Sequence, residues 1–420
     1  MNTDLMSATS RVETPFIIVT IAGYTFGGFN KNVKNVIDQE GTYNKIVTQY
    51  PNFMQSLNIV KVNGTLNTYT LVMKYQITQN DDPNLLEKVF SKAKSNREII
   101  LTYGDWSIPS YIYKEEKAII TTIKSNIDIA SSSITYTLNC ISKALSLTAG
   151  VFSFPKVNDK PSNIIKNLLE DENQYHLKEI FYGMTDSTLL NVQNLIASND
   201  KKVQIEAKSS ITLMNYINYL VSCMVDVNDL DDTLIKSSRY VFTVHDDIKN
   251  EFGGPYFKVT QVKATVTQNM SDIFEINIGY PGVANVMSFN INNDETYSIL
   301  YDYSNEVAQS DYIYRIDNNG KSISEYSPTL SNSALLMKTT ESDKVWWTQM
   351  TQYPITATLT IKGLLKPALL MTYLKINTLF YGRDHISSGL YIITKQTDSV
   401  DSSGYKTVLN LTRISTLEGN

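Results

Sequence analysis

Residues 57–78 read LNIVKVNGTLNTYTLVMKYQIT, and this stretch decides the fold. Leu57–Val62 alternates apolar and polar side chains, and Tyr69–Thr78 does so again. Between them stands Asn63–Gly64, the strongest two-residue hairpin signal. A period of two buries one face of each strand, so the segment predicts a hairpin with one face on a core. Upstream, VETPFIIVTIAGYTFGG (12–28) reads as a strand followed by glycines that break or bend it. The polar stretch from residue 29 to the hairpin reads as loop, anchored by Tyr50, Pro51 and Phe53.

Downstream, LLEKVFSKA predicts a short helix over about 82–95, with Asp82 as cap and Pro83 at its first position. Strands are expected at Glu98–Tyr103 and Ser110–Glu115, then a long hairpin at Ala118–Ile127 and Ser133–Ile141. Many strands with one helix point to a strongly curved sheet or barrel flanked by that helix.

Composition changes after Gly150. Helices are predicted at 161–172, Asp186–Ser198 and Ser209–Met224, the last with Ile211, Met214, Ile217, Leu220 and Val221 on its apolar side. From Arg239 strands return (YVFTVH, YFKVTQVKATVT, FEINIGY), and 300–353 reads as loops and short helices anchored by Trp346 and Trp347. Ile355–Ile361 and Leu369–Thr378 read as strands, and Gly389–Gln396 and Gly404–Ile414 as a hairpin around SVDSSG. The expected class is α+β, with two β-barrel or curved-sheet domains and a helical α/β insertion between them. Expected divisions are 1–150 (first β domain), 151–238 (helical α/β), 239–354 (mixed β and loop) and 355–420 (strands completing the second β domain).

The 420 residues carry 42% apolar but only 19% charged side chains, with 27 Tyr, a net charge of -5 and a pI near 5.4. Apolar content is too high and net charge too small for wholesale disorder. Bulk positive charge for nucleic-acid binding is missing. Met1–Thr14 shows no basic run ahead of an apolar core, so no secretory signal is expected. No apolar window approaches the ~20 residues that cross a bilayer.

The residues that carry chemistry are sparse. Cys140 and Cys223 form no CxxC or Cys/His cluster and are expected to be small buried side chains, so neither metal nor cofactor is expected. His176, His245 and His385 lack any GxSxG or HExxH context and read as loop or interface residues, although a carboxylate beside His245 or His385 would suit a base. The strings GGF (27–29) and GGP (253–255) fit no phosphate loop and read as turns. The acidic string DVNDLDD (226–232) lacks the Gly and Glu of a calcium loop and reads as solvated. Asp105, Glu115 and Glu116 lie among Tyr103, Trp106, Tyr111 and Tyr113, which makes them the candidates for a glycosidase carboxylate pair. The preferred reading assigns no catalytic, cofactor or metal residue, and no enzyme.

The order of elements resembles the baseplate hub proteins of contractile or long-tailed bacteriophages and related secretion devices. Residues 57–141 resemble a tube-type β domain. Residues 355–414 resemble a second, ending in YGRDHISSGLYIITKQTDSV (381–400) and YKTVLNLTRI (405–414). The resemblance implies a homotrimer whose two tube-like domains per subunit give a pseudo-sixfold ring. Such a ring joins the hexameric tail tube protein to a central spike protein. It also meets baseplate wedge proteins and lines a channel for tape-measure protein and DNA as passing cargo. It implies a place in the virion tail baseplate, assembly in the host cytoplasm and no membrane anchor. The apolar hairpin faces (Leu71, Met73, Tyr75; Tyr391, Ile393) are expected to pack in the barrel or across subunits, and the turns Asn63–Gly64 and Asp398–Gly404 to meet the adjoining ring or to stand as ordinary exposed turns. The rival readings are a host-surface carbohydrate-binding tail protein, with sugars stacked on the Tyr- and Trp-rich loops of 300–350, and a wall-degrading hydrolase.

Overall fold

The structure, a computed structural model, describes residues 15–29, 36–37, 43–44, 49–93, 97–105, 114–170, 195–228, 238–248, 256–263, 274–279, 286–293, 315–316, 322–323, 355–363 and 370–416. Its main feature is one 14-stranded, almost wholly antiparallel sheet. The N-terminal strands are β1 (Pro15–Ile21), β2 (Tyr24–Gly28), β3 (Met54–Val62), β4 (Thr68–Gln76), β5 (Glu98–Asp105), β6 (Lys114–Asp128) and β7 (Ser133–Ser142). They run in the order β3-β4-β7-β6-β5-β1-β2. The last strand curls back to the first, because Gly27 N donates to Tyr50 O and Phe53 N to Gly27 O, both at 2.9 Å. A Cβ on Gly28 would stand 2.5 Å from Met54 O, so only glycine permits this approach. Inward residues Leu57, Ile59, Leu71, Met73, Leu101, Tyr136 and Leu138 fill the unit. The amphipathic helix α1 (Leu85–Ala93) sets Leu86, Val89 and Phe90 onto that core, at the spacing of one helix face.

The middle of the chain contributes β8 (Val151–Phe154), β9 (Val157–Asp159), α2 (Pro161–Glu170), β10 (Val203–Ile205), β11 (Lys208–Thr212), α3 (Leu213–Ser222), β12 (Ser238–His245) and β13 (Tyr256–Lys263). Short ladders β8–β11, β9–β10 and β12–β13 frame the two helices. Pro161 opens α2 as expected. The expected helix over Ser209–Met224 begins late: 208–212 is strand, and Thr212 Oγ1 caps α3 by accepting from Asn215 N at 3.3 Å. Ile211 and Thr212 are β-branched and pair with Phe152 and Val151, and this pairing overrides the helical spacing. The two faces of β12 serve two cores. Tyr240, Phe242 and Val244 join the helices, while Val241 packs with the C-terminal strands.

Those strands are β14 (Phe274–Ile278), β15 (Val286–Asn293), β16 (Ile355–Lys362), β17 (Tyr373–Phe380), β18 (Gly389–Asp401) and β19 (Gly404–Thr416). They continue the sheet as β15-β16-β19-β18, with β17 beside β18 and β14 parallel to β17. Strand β18 pairs with β3, Lys395↔Val62 through Asp401↔Ser56. The two strand-rich parts of the chain therefore share one sheet rather than merely adjoining. The final hairpin is longer than expected, turning only at Ser402–Ser403. Its near half (Tyr391, Ile393, Leu409, Leu411) builds the C-terminal core, while its far end (Val400, Tyr405) fills the N-terminal one.

The expected strand Leu369–Thr378 starts instead at Tyr373, after a turn in which Met371 takes φ 60. The expected strand Ser110–Glu115 is not separate: 106–113 lie outside the described residues, and 114 already opens β6. The helix at Asp186–Ser198 and Trp346–Trp347 also lie wholly or mostly outside them. Among the described residues no helix is long and apolar enough to cross a membrane.

Candidate functional site

Alternation places one ionisable residue on the buried face of each of three strands. Lys61 follows Leu57 and Ile59, Glu116 precedes Ala118 and Ile120, and Asp398 precedes Val400. Tertiary structure gathers them. Lys61 Nζ lies 2.5 Å from Glu116 Oε1, and Glu116 also accepts from Tyr103 Oη and Tyr69 Oη, each at 2.8 Å. Tyr69 Oη lies 2.9 Å from Asp246 Oδ2 as well. Asp246, just beyond β12, accepts from Ser142 Oγ at 2.6 Å and Asn67 Nδ2 at 2.7 Å. On the far side Asp398 accepts from Thr407 Oγ1 at 2.6 Å and Gln396 Nε2 at 2.7 Å, and the Tyr405 ring meets Tyr103 edge-on.

The cluster is buried throughout, and its electrostatics follow from that. Burial pulls the Lys61 ammonium down, yet Glu116, Asp398 and Asp246 outweigh it and hold the amine above its ordinary value. Burial drives the Tyr69 and Tyr103 phenols far up, reinforced by Asp246 and Glu116 at Tyr69 and by Glu116 and Asp398 at Tyr103, so both keep their protons. Burial pushes the Asp246 carboxyl up to about 6, partly offset by the Ser142 bond and reinforced by Glu116. Tyr69 Oη lies 2.8 Å from Glu116 Oε2 and 2.9 Å from Asp246 Oδ2, so one phenol proton stands between two carboxyl groups. His245 is held down at about 3 by burial first, then by Lys61 and Lys258. It stacks on Tyr256 and meets Thr243 Oγ1 at 3.0 Å.

This arrangement locks three separate parts of the chain and leaves its carboxylates out of reach of a substrate. Glu115 and Glu116 are neighbours on β6 and project to opposite faces, so they cannot flank a glycosidic bond together. The side chain of Asp105, with Trp106, Tyr111, Tyr113, His176 and GGP (253–255), lies outside the described residues. His385 sits in an exposed loop with Nδ1 2.8 Å from Ser387 Oγ. Cys140 is buried, its thiol pushed up to about 12, and Cys223 is half-buried at the end of α3. Asp226 corrects the solvated reading of the acidic string: it is buried and accepts from Asn228 N, Asn228 Nδ2, Asn199 Nδ2 and Gln261 Nε2. Among the described residues no group of three or more His, Cys, Asp or Glu could hold a metal.

Of the two places expected for the hairpin-face residues, the structure gives the barrel. Leu71, Met73, Tyr75, Tyr391 and Ile393 are all buried inside the chain's own cores. Asn63–Gly64 belongs to a longer turn docked on the middle region, where Gly64 N donates to Phe242 O (2.8 Å) and Asn218 Nδ2 to Gly64 O (2.9 Å). Asp398 is a buried strand residue rather than a turn. Arg413 gave no sequence warning beyond its inward position after Leu409 and Leu411. Fully buried, it donates from Nη1 to Ile386 O at 2.6 Å and steadies the 381–388 loop. Beside that loop lies a cleft of about 380 Å³, lined by Ile278, Met287, Phe289, Ile291, Phe380 and His385 among others.

No protein-family model matches the chain, and no curated protein matches it. Solved structures similar to it include phage tail proteins and a component of a type VI secretion system. One is a 43 kDa tail protein of prophage MuSo2 from Shewanella oneidensis: 11% identity, covering 95% of this chain and 96% of that one, TM-score 0.48. A tail protein from Neisseria meningitidis gives 9% identity over 95% of this chain and 96% of that one, TM-score 0.46. An Escherichia coli type VI secretion component, described as structurally similar to bacteriophage T4 tail proteins, gives 8% over 94% and 76%, TM-score 0.46.

Proposed function

We propose that this chain is a structural component of a phage tail baseplate: a trimeric hub joining the hexameric tail tube to the central spike. The observation that carries the reading is the β3–β18 pairing, which makes two curved β units one rigid sheet within a single chain. In this reading residues 1–150 form the first tube-like domain, 151–238 a helical α/β domain, 239–354 a mixed β and loop domain, and 355–420 the strands that complete the second tube-like domain. Three such subunits present six β units around an axis, matching a sixfold tube above and a threefold spike below. The channel passes tape-measure protein and DNA, and wedge proteins bind the periphery. The hub sits in the virion tail baseplate after assembly in the host cytoplasm.

Burial of Glu116 in the Lys61 cluster argues against a wall-degrading hydrolase, while the carbohydrate-binding alternative rests on 300–350, which lies mostly outside the described residues. The test is native mass spectrometry and electron microscopy of the purified chain with tube and spike proteins. A trimer that carries a sixfold ring on one face and a threefold partner on the other is expected. A monomer indifferent to both overturns the reading.

A further inference from the structure

The segment that follows β12 ties the middle of the chain to the first β unit. Lys117 N donates to Asp246 O at 3.1 Å and Ile248 N to Glu115 O at 3.0 Å, with Asp247 opposite Glu116. Residues 246–248 therefore lie along β6 as a short antiparallel strap. From it the Asp246 side chain enters the buried cluster. Its side-chain partners among the described residues all belong to the first unit: Asn67 ahead of β4, Tyr69 on β4 and Ser142 at the end of β7. Asn67 Nδ2 donates to Val244 O as well, at 3.2 Å. One carboxyl group thus joins the strap to two strands and a turn of the sheet.

The charges around that carboxyl group do not balance among the described residues. One ammonium, Lys61 on β3, faces three buried carboxyl groups: Glu116 on β6, Asp398 on β18 and Asp246 itself. Tyr103 beside Glu116 and Tyr405 beside Asp398 are neutral phenols. His245 is turned to Thr243 and Tyr256 and is neutral above about pH 3, with Lys258 near it. Asp247 adds one more carboxyl group on the strap, while Lys117 pairs with Glu98, 3.2 Å away. With every carboxyl group ionised, negative charge would outnumber positive in a core that water does not reach. The Tyr69 phenol sharpens the problem. Its one proton stands between Glu116 Oε2 and Asp246 Oδ2 and can satisfy one of them at a time.

We propose that Asp246 is a proton-operated latch: as a neutral acid it closes 246–248 onto the first β unit, and as a carboxylate it lets the strap open. In the closed form Asp246 Oδ2–H donates to Tyr69 Oη and Tyr69 Oη–H to Glu116 Oε2, so each short oxygen pair holds one hydrogen. Closing takes up one proton from solvent, and opening returns it. Burial pushes the Asp246 carboxyl up to about 6, whereas on the open strap it returns to the ordinary 3.8. The closed strap is therefore favoured most below about pH 4, loses ground up to about pH 6, and loses no more above it. The device works at the joint between the middle of the chain and the first β unit, and it stands apart from the hub reading.

Hydrogen exchange of the full chain between about pH 4 and 8, corrected for the intrinsic pH dependence of amide exchange, reads the strap through the Lys117 and Ile248 amides. Both should exchange faster than the Leu71 amide inside β4, because the strap opens without unfolding of the sheet. Their protection should fall about tenfold per pH unit between about pH 4 and 6 and then level off. Asp246→Asn cannot ionise and should lose that dependence, with circular dichroism as the folding check. Ser142→Ala removes a bond that favours the carboxylate and gives a second variant, whose levelling-off point should move upward in pH. Protection that stays flat or rises over that range overturns the latch. So does a dependence that survives in Asp246→Asn, a levelling-off point that Ser142→Ala leaves in place, or strap amides that exchange no faster than Leu71.

Discussion

Lys61 Nζ meets Glu116 Oε1 at 2.5 Å with both side chains almost wholly out of water, 8% and 1% exposed. Desolvating two charges costs several kcal/mol each, and only close pairing with further hydrogen bonds offsets it. Here the additional donors are the phenols of Tyr69 and Tyr103. The pair therefore gives specificity to the junction more than net stability: a slip of β3 against β4 or β18 strands a charge in the core.

Breaking one half should be severe. Lys61→Met leaves Glu116 buried without its cation and is expected to cost about 3–5 kcal/mol in urea unfolding. Lys61→Met/Glu116→Leu should recover much of that loss, since an apolar pair of similar volume removes the stranded charge. If the double variant is no better than the single, coupling within the pair is not the cause.

Asp246 sets one pH dependence. Its folded value near 6 lies above the ordinary 3.8, so the native state holds the proton more tightly than the unfolded chain. Its contribution is complete below about pH 4 and is lost as pH rises through 6. The stability advantage of the unaltered chain over Asp246→Asn should therefore shrink between those limits. Urea midpoints taken across the range read this directly, and an advantage that grows with pH contradicts the assignment.

His245 sets the opposite slope. Its value is depressed from 6.5 to about 3, so its stabilising contribution is present above pH 6.5 and lost as pH falls toward 3. His245→Phe keeps a ring against Tyr256 and removes the titration. Thermal midpoints of the variant should fall less steeply on acidification than those of the unaltered chain.

Closure of the N-terminal unit depends on Gly28. Adding a methyl group forces it against Met54 O, and Gly28→Ala is expected to cost about 1–3 kcal/mol by overpacking. Because the Gly27–Tyr50 contact would open locally, hydrogen exchange at the Gly27 amide should accelerate more than at the Leu71 amide in β4.

The docked turn offers a milder change. Asn218→Ala deletes the bond to Gly64 O and is expected to cost about 1 kcal/mol. Exchange at the Gly64 amide, which donates to Phe242 O, should rise if this bond holds the middle region to the first β unit. Unchanged exchange there removes Asn218 from that role.

Much of this was legible along the chain. Period-two alternation set the hairpins β3–β4, β6–β7 and β18–β19, because a strand buries alternate side chains wherever it lies. Proline and apolar spacing set α1 and α2 for a similarly local reason. The inward charges are not read there: the sequence sets Asp398 in a turn and makes Glu116 a candidate beside a substrate, whereas the structure buries Lys61, Glu116 and Asp398 together on strand faces. A charge there must find a partner, but its partner need not be near in sequence.

What the sequence by itself determined is the main hairpins β3–β4, β6–β7 and β18–β19, the helices α1 and α2, and the scarcity of residues that carry chemistry. Tertiary structure alone decided that β3 pairs with β18 more than 330 residues away in sequence, fusing two β units into one sheet. It alone brought Asp246 to Tyr69 and docked Gly64 on Asn218. The physical reason is range. Backbone preference and face periodicity act over a few residues, whereas partner choice depends on which surfaces and unpaired groups remain once those elements pack together.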